Sequence, residues 1–286
     1  MTPPLAAAKI ARVFLEACLA ELDALKPGNV HRFGDDPRMS VADFETSARV
    51  AAPALAMPML SVGVRIRLCV EATIDVVGHN TNLGIILLAA PLAAAALNDS
   101  SGDLRGKLAE ILSGLTVDDA KETYVAIRYA QPGGLGGAPR HDVNADPTVT
   151  LLEAMRAAET YDRIAWNYSH GFADIFDVGM PRLEQTMARW ESLPLATTSV
   201  YLGFLAAAPD TLIERKFGTA QAVQVMQEAQ NLLVILEESG NPQGHVPELL
   251  AFDRSLKQRG LNPGTSADLT VATLFAASLR SLEKSC

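Results

Sequence analysis

The sequence predicts an all-α protein, a single large helical domain of roughly twelve helices spanning residues 1–286. Apolar residues recur at helical spacing along most of the chain. Alternating β-branched runs are almost absent, and the nearest, Thr123 to Tyr129, also fits a helix. Prolines, glycines and small polar residues fall where helices would start and stop.

Composition narrows the classes of function. A 49% hydrophobic fraction against 20% charged residues supplies a core and excludes a disordered chain. A net charge of −9 excludes an electrostatic nucleic-acid binder, which needs a basic face. It does not exclude a nucleotide substrate, because a few placed cations and a divalent ion can hold phosphates. Cys18, Cys69 and Cys286 show neither CxxC nor metal-finger spacing, and the first two are expected to be core thiols of a reducing compartment. The start, MTPPLAAAKI, lacks the basic-then-apolar order of a signal peptide. The longest uncharged apolar run falls short of the ~20 residues that span a bilayer. A cytoplasmic location without membrane contact is the expectation.

Leu5 to Leu25 reads as the first helix, stopped by Lys26-Pro27-Gly28 and followed by a polar loop through Asn29, His31, Asp36 and Arg38. Ser40 with Asp43 opens the second helix as a capping pair, and Pro53 and Pro58 kink or end it. Gly63 to Leu97 reads as helix–turn–helix. Glu71, Thr73 and Asp75 lie on its first arm, His79 to Asn82 form the join, and no charge falls between Ile85 and Leu97. Polar groups packed where two buried helices meet must bond one another or a ligand, since leaving them unpaired costs about 1–3 kcal/mol each. Thr81 and Asn82 are placed to cap the second arm, whose first amides suit an anion.

Leu104 to Leu112 and Val117 to Ala130 follow as amphipathic helices. Gln131 to Asn144, rich in glycine and proline, reads as a long functional loop within one domain. Val149 to Phe176 is expected to be helical with aromatic interruptions, then Pro181 to Trp190 and Pro194 to Ala208. Pro209-Asp210-Thr211 starts another helix. Thr219 to Glu238 and Pro247 to Arg259 come next, and Ser266 to Leu282 closes the chain. Thr265 with Asp268 matches a capping box.

Familiar motifs fail. Gly102 to Lys107 is one residue short of a P-loop, lacks the following Ser or Thr, and has no strand before it. The glycines at 133–137 lead into Pro139 and Asn144 where a dinucleotide fingerprint would open a helix. There is no HExxH and no GxSxG, and His245 is expected to be solvated in its turn. Four polar loops survive, Lys26 to Arg38, His79 to Asn82, Asp210 to Lys216 and Asn262 to Asp268, each at a helix boundary. Taken singly, each also reads as ordinary capping.

Four segments, KPGNVHRFGDDPRM, EATIDVVGHNTNLGIILLAAPLAAA, PDTLIERKFG and LNPGTSADLTVATLF, resemble in that order the triphosphoribosyl-dephospho-CoA synthases of CitG and MdcB type. The resemblance implies an all-helical enzyme using ATP and Mg2+. Its reaction transfers the triphosphoribosyl group of ATP to the ribose 2′-hydroxyl of 3′-dephospho-CoA, with release of adenine. It implies Glu71, Asp210 and Asp268 as catalytic carboxylates, with Asp36 and Glu71 toward the metal. Lys26, Asn29, His31, Asn80, Thr81, Asn82, Arg140, Arg215, Lys216 and Ser266 are implied as contacts for the nucleotide or for a coenzyme-like acceptor. A homodimer fits the same picture. The chain reads NTNLG where the family usually reads NTHKG, so Asn82 and Leu83 replace an imidazole and an ammonium. That departure motivates two alternatives: a homologue serving another coenzyme, such as a one-carbon carrier of methanopterin or methanofuran type, and a nucleotide-binding module without chemistry.

Overall fold

The computed structural model describes residues 3–34, 39–135, 137, 140–239 and 242–284. Fourteen α-helices carry the described chain, and β pairing is confined there to one isolated bridge between His31 and Gly34. In order they are α1 Pro3–Leu22, α2 Val41–Leu55, α3 Val62–Val77, α4 Leu83–Leu97, α5 Leu104–Ser113, α6 Val117–Ala130 and α7 Leu151–Ala158. Then come α8 Arg163–Ser169, a π-helical turn Asp174–Gly179, α9 Met180–Trp190, α10 Leu193–Ala207, α11 Thr211–Phe217 and α12 Thr219–Glu238. A 3₁₀ turn Pro242–His245, α13 Val246–Gln258 and α14 Gly264–Lys284 complete the fold. Among the described residues no helix is long and apolar enough to cross a membrane.

The chain forms two compact units. The first takes in most of α1, helices α2 to α8 and the second half of α14; the other holds the end of α1, the loop after it, and everything from the π turn to the first half of α14.

In the first unit α3 lies along α6. Gly63 makes the approach possible, since a Cβ there would stand 2.5 Å from the Asp119 backbone. Asp119 locks the two helix starts together. One of its oxygens accepts the Gly63 N–H at 2.8 Å, and the other accepts the N–H and hydroxyl of Thr116. Burial alone raises this carboxyl, but those bonds outweigh it and hold it below the ordinary range. Arg65, 1% exposed, donates to the Leu55 and Leu60 carbonyls and fixes the turn between α2 and α3, and burial lowers its pKa to about 10. Cys18 and Cys69 are buried core thiols outside any disulfide among the described residues, as expected, and burial pushes Cys69 up to about 12. Cys286 lies outside the described residues.

Helix α4 is buried on nearly every side and contains Pro91. A proline has no N–H for the carbonyl four residues earlier, which here belongs to Leu87. The Tyr168 hydroxyl of α8 donates to that carbonyl at 2.6 Å. A distant aromatic thus completes the broken ladder.

The second unit is built on α10 against α12, with Tyr201, Leu205, Val225 and Leu236 in a core that also takes Leu249 and Leu256 of α13. The Tyr201 hydroxyl reaches the Pro27 carbonyl at 2.6 Å and ties the loop after α1 to this core.

Several boundaries differ from the sequence reading. Helix α1 ends at Leu22 rather than Leu25, and α2 runs through Pro53 to Leu55. The stretch Val149 to Phe176, expected to be helical with aromatic interruptions, is two helices and the start of a π turn. Asp162 breaks it by accepting the Ile164 and Ala165 N–H groups as a new N-cap. At α4 the capping oxygen belongs to Asn80, which accepts the Leu83 N–H at 3.0 Å, and the Asn82 side chain makes no cap bond. Helix α14 begins at Gly264, so Thr265 is already in its first turn and faces the Thr211 hydroxyl at 3.1 Å instead of forming a capping box. His245 is half-covered, with Nδ1 3.5 Å from Glu248.

Candidate functional site

The candidate residues form two groups, one in each unit. In the first unit the join between α3 and α4 collects Asn80, Thr81 and Asn82. Asn80 is spent on the α4 cap, and the Thr81 hydroxyl pairs with the buried Ser47 hydroxyl, which itself donates to the Asp43 carbonyl. His79 Nε2 lies 3.9 Å from Asp43 across the same turn. Asn82 is 5% exposed, and its Nδ2 has no partner among the described residues. Leu83 is 7% exposed, which explains an apolar residue there: an ammonium at this position would be buried.

Glu71 sits farther back on α3. Both of its oxygens accept from Arg67 Nη1, at 2.9 and 3.0 Å, while Arg67 Nε bonds Glu122 of α6. Bonds to Glu71 and then Glu122 raise the guanidinium pKa further. The Glu71 side chain remains 34% exposed, so it is held in place yet accessible. Arg140 is exposed in the glycine-rich loop, whose end is tied to α6 by Tyr124 on the His141 carbonyl and Arg128 on the Val143 carbonyl.

In the second unit the loop after α1 is folded around a buried ammonium. Lys26 has 0% exposure, and its Nζ donates to Glu21, to Asn29 Oδ1 at 3.0 Å and to the Val30 carbonyl at 2.6 Å. All three ammonium protons are engaged within the protein. Burial lowers its pKa against the opposing pull of Glu21, and raises that of Glu21 against the pull of Lys26. Asn29 passes the chain of bonds on, its Nδ2 donating to Asn262 Oδ1 at 2.7 Å. His31 is equally enclosed. Its Nδ1 accepts the Phe33 N–H at 3.1 Å and its Nε2 stands 3.1 Å from Asp253 Oδ1. Because Nδ1 accepts the Phe33 N–H, the ring proton lies on Nε2 facing the carboxylate, and burial lowers the imidazole pKa.

Asp210 caps α11 and braces α14 at once. One oxygen accepts the Leu212 and Ile213 N–H groups, and the other accepts the N–H and hydroxyl of Ser266, both at 2.8 Å. Burial nevertheless raises this carboxyl above the ordinary range. Asp268 is half-buried two residues beyond Ser266, close enough to stabilise the Lys26 charge. Arg215 is half-buried and Lys216 exposed in the last turn of α11. Asp36 lies outside the described residues.

The structure therefore brings Lys26, Asn29 and His31 together, and Asp210 with Ser266, while Glu71 is held by Arg67. Sequence reasoning missed Glu21, Asp253 and Lys257. The i,i+4 spacing of Asp253 and Lys257 on α13 was the only local signal for that pair. Among the described residues no three His, Cys, Asp or Glu side chains converge as a metal cage.

These two polar groups sit on an all-helical fold, and the fold and the chain's order of helices are those of a known helical family. The family model for ATP:dephospho-CoA triphosphoribosyl transferase, CitG, matches residues 7–286, and the chain belongs to this family. A 2-(5′′-triphosphoribosyl)-3′-dephosphocoenzyme-A synthase of Escherichia fergusonii is 33% identical over 105 residues, 37% of this chain and 34% of that protein. The chain thus spans about a third of the length of the curated relative it matches. The crystal structure of an Archaeoglobus fulgidus protein put forward as a triphosphoribosyl-dephospho-CoA synthase superposes with a TM-score of 0.64. The superposition covers 81% of this chain and 96% of the other at 22% identity, which supports the fold.

Proposed function

We propose that this protein is a transferase that moves the triphosphoribosyl group of ATP onto the ribose 2′-hydroxyl of 3′-dephospho-CoA and releases adenine. The observation that carries the reading is the family match from residue 7 to residue 286, which includes both polar groups. In the reaction the bond from C1′ to the adenine nitrogen breaks, and the nitrogen keeps the electron pair. The acceptor oxygen bonds C1′, and its proton leaves to a base. C1′ passes through an oxocarbenium-like state, so a nearby carboxylate lowers the barrier and a second can take the hydroxyl proton.

The candidate carboxylates differ in readiness. Asp210 has all its bonding directed at Ser266 and the α11 amides, which suits a positioning role. Glu71 in the first unit and Asp268 in the second retain exposure and are the groups able to meet a substrate. Magnesium arriving with ATP needs only one or two protein carboxylates when phosphates and water fill its shell, and the exposed, oriented Glu71 suits that as well. When bound, such an ion neutralises the charge of the triphosphate.

Mass spectrometry tests the reaction, since dephospho-CoA should gain the mass of one triphosphoribosyl group. Glu71→Gln and Asp268→Asn test the roles. Loss of turnover by about 100-fold or more with an unchanged melting temperature identifies a carboxylate at the chemistry. Near-normal turnover with early melting returns that residue to a structural role.

A further inference from the structure

We infer that Arg67 and Glu122 are positioning residues for Glu71. Glu122 of α6 holds the Arg67 guanidinium, and the guanidinium fixes the Glu71 carboxylate on the edge of α3. The inference rests on the function proposed above for what Glu71 does, and on the geometry for how it is held.

The first observation is the frame. Helices α3 and α6 lie side by side and are tied at successive levels along their length. At their starts Asp119 accepts the Gly63 N–H at 2.8 Å. One turn on, Glu122 accepts from Arg67 Nε. About two turns beyond that, the Tyr129 hydroxyl of α6 donates to Asp75 Oδ1 of α3 at 2.7 Å. The partners climb together along both helices, so the pair is parallel and the ties hold it against sliding. Glu71 lies between the second and third ties, and the i, i+4, i+8 spacing of Arg67, Glu71 and Asp75 sets all three on one face of α3.

The second observation is how Glu71 is bonded. Both of its oxygens accept from Arg67 Nη1, at 2.9 and 3.0 Å. The ties to α6 are made by its neighbours, so the frame would stand without it. Helix stability does not explain the pair either. An acid four residues before a base stabilises a helix more than the reverse order, and here the base comes first. Ion pairs as exposed as these also contribute little to folding. What the arrangement does is orient. A guanidinium is a planar, rigid fork, so with Nε pinned to Glu122 the direction of Nη1 is set. Because one nitrogen serves both Glu71 oxygens, each oxygen keeps a lone pair for a substrate proton or a magnesium ion. Misplacing a reacting group by about 1 Å can cost about 100-fold in rate, so such a clamp bears on turnover more than on folding.

The test is a cycle of variants. The intact protein, Glu122→Ala, Glu122→Gln, Arg67→Lys, Glu71→Gln and the double variant Glu71→Gln with Glu122→Ala are assayed for adenine release with ATP, Mg2+ and dephospho-CoA. Each is also titrated calorimetrically with ATP and Mg2+, and melted. Glu122→Ala should lower kcat about tenfold or more, change either KM by less than about threefold, and melt with the parent. Arg67→Lys keeps a cation for Glu71 but loses the fork that reaches Glu122 as well, and should fall by as much. Glu122→Gln keeps an oxygen for Arg67 Nε and should retain most of the turnover. In the Glu71→Gln background Glu122→Ala should cost nothing further, because the group it positions is gone. A Glu122→Ala variant that keeps the parent's kcat, or whose loss multiplies that of Glu71→Gln in full, overturns the inference. A parent that releases no adenine sinks the proposed reaction, and the same cycle is then read in the affinity for ATP with Mg2+. Losses from Glu71→Gln and Glu122→Ala that do not add sustain the positioning, and additive or absent losses overturn it.

Discussion

Lys26 is a motif lysine whose ammonium is fully engaged within the protein. The resemblance marks it as a phosphate contact, but in the fold its ammonium is enclosed and shared by Glu21, Asn29 and Val30. Breaking a buried ion pair on one side costs about 3–5 kcal/mol, whereas replacing both partners is often close to neutral. Lys26→Met should therefore destabilise strongly in urea unfolding, and Glu21→Gln with Lys26→Met should recover most of the loss. If the double variant regains stability and ATP affinity together, Lys26 positions the loop. If stability returns without affinity, the ammonium contacts the nucleotide after all. His31 adds a pH dependence. Its folded pKa lies below the ordinary 6.5 because burial disfavours the charged ring, so the unfolded chain takes a proton first as pH falls. The stability it contributes is complete above pH 6.5 and declines below it toward the lower folded value. Unfolding free energies measured between pH 8 and pH 5 should show this decline, and His31→Gln should flatten it. An unchanged slope would mean another group titrates there. Neither burial was legible in the sequence, because Lys26 and His31 stand in a loop of turn residues where nothing in the spacing signals enclosure.

At the scale of elements, α4 shows a helix whose integrity depends on a side chain far along the chain. Tyr168→Phe removes the hydroxyl that serves the Leu87 carbonyl and should cost about 1–3 kcal/mol. Pro91→Ala restores a local N–H for the same carbonyl, so in that background Tyr168→Phe should cost much less. A double-mutant cycle with no coupling between the two positions would refute the repair. The apolar run that makes α4 was plain in the sequence, and so were α5, α6 and α12, because amphipathic or uniformly apolar periodicity is a local signal. The break at Asp162 was not. An aspartate in a helical pattern caps a new helix only when tertiary packing turns the chain there, and no local spacing reveals that.

At the scale of the whole molecule, the ordered motifs pointed to an all-helical member of this family, and the family match and the helical fold agree. Of the residues named from the motifs, Lys26 and Asn29 bond one another, Asp210 bonds Ser266, and Asn80 and Thr81 bond within their turn, while Asp36 lies outside the described residues. What the motifs left out is the supporting layer of Glu21, Asp253 and Lys257. These residues lie on helices whose local pattern is ordinary; Glu21 meets Lys26 and Asp253 meets Lys257 at short range, and long-range packing brings Asp253 to His31. The proposed transfer is tested most directly by chromatography of ATP incubated with the protein, Mg2+ and dephospho-CoA. The account predicts adenine, formed in equal amount to the dephospho-CoA consumed and absent without the acceptor. ADP, AMP or pyrophosphate appearing as the product while adenine stays absent would contradict it.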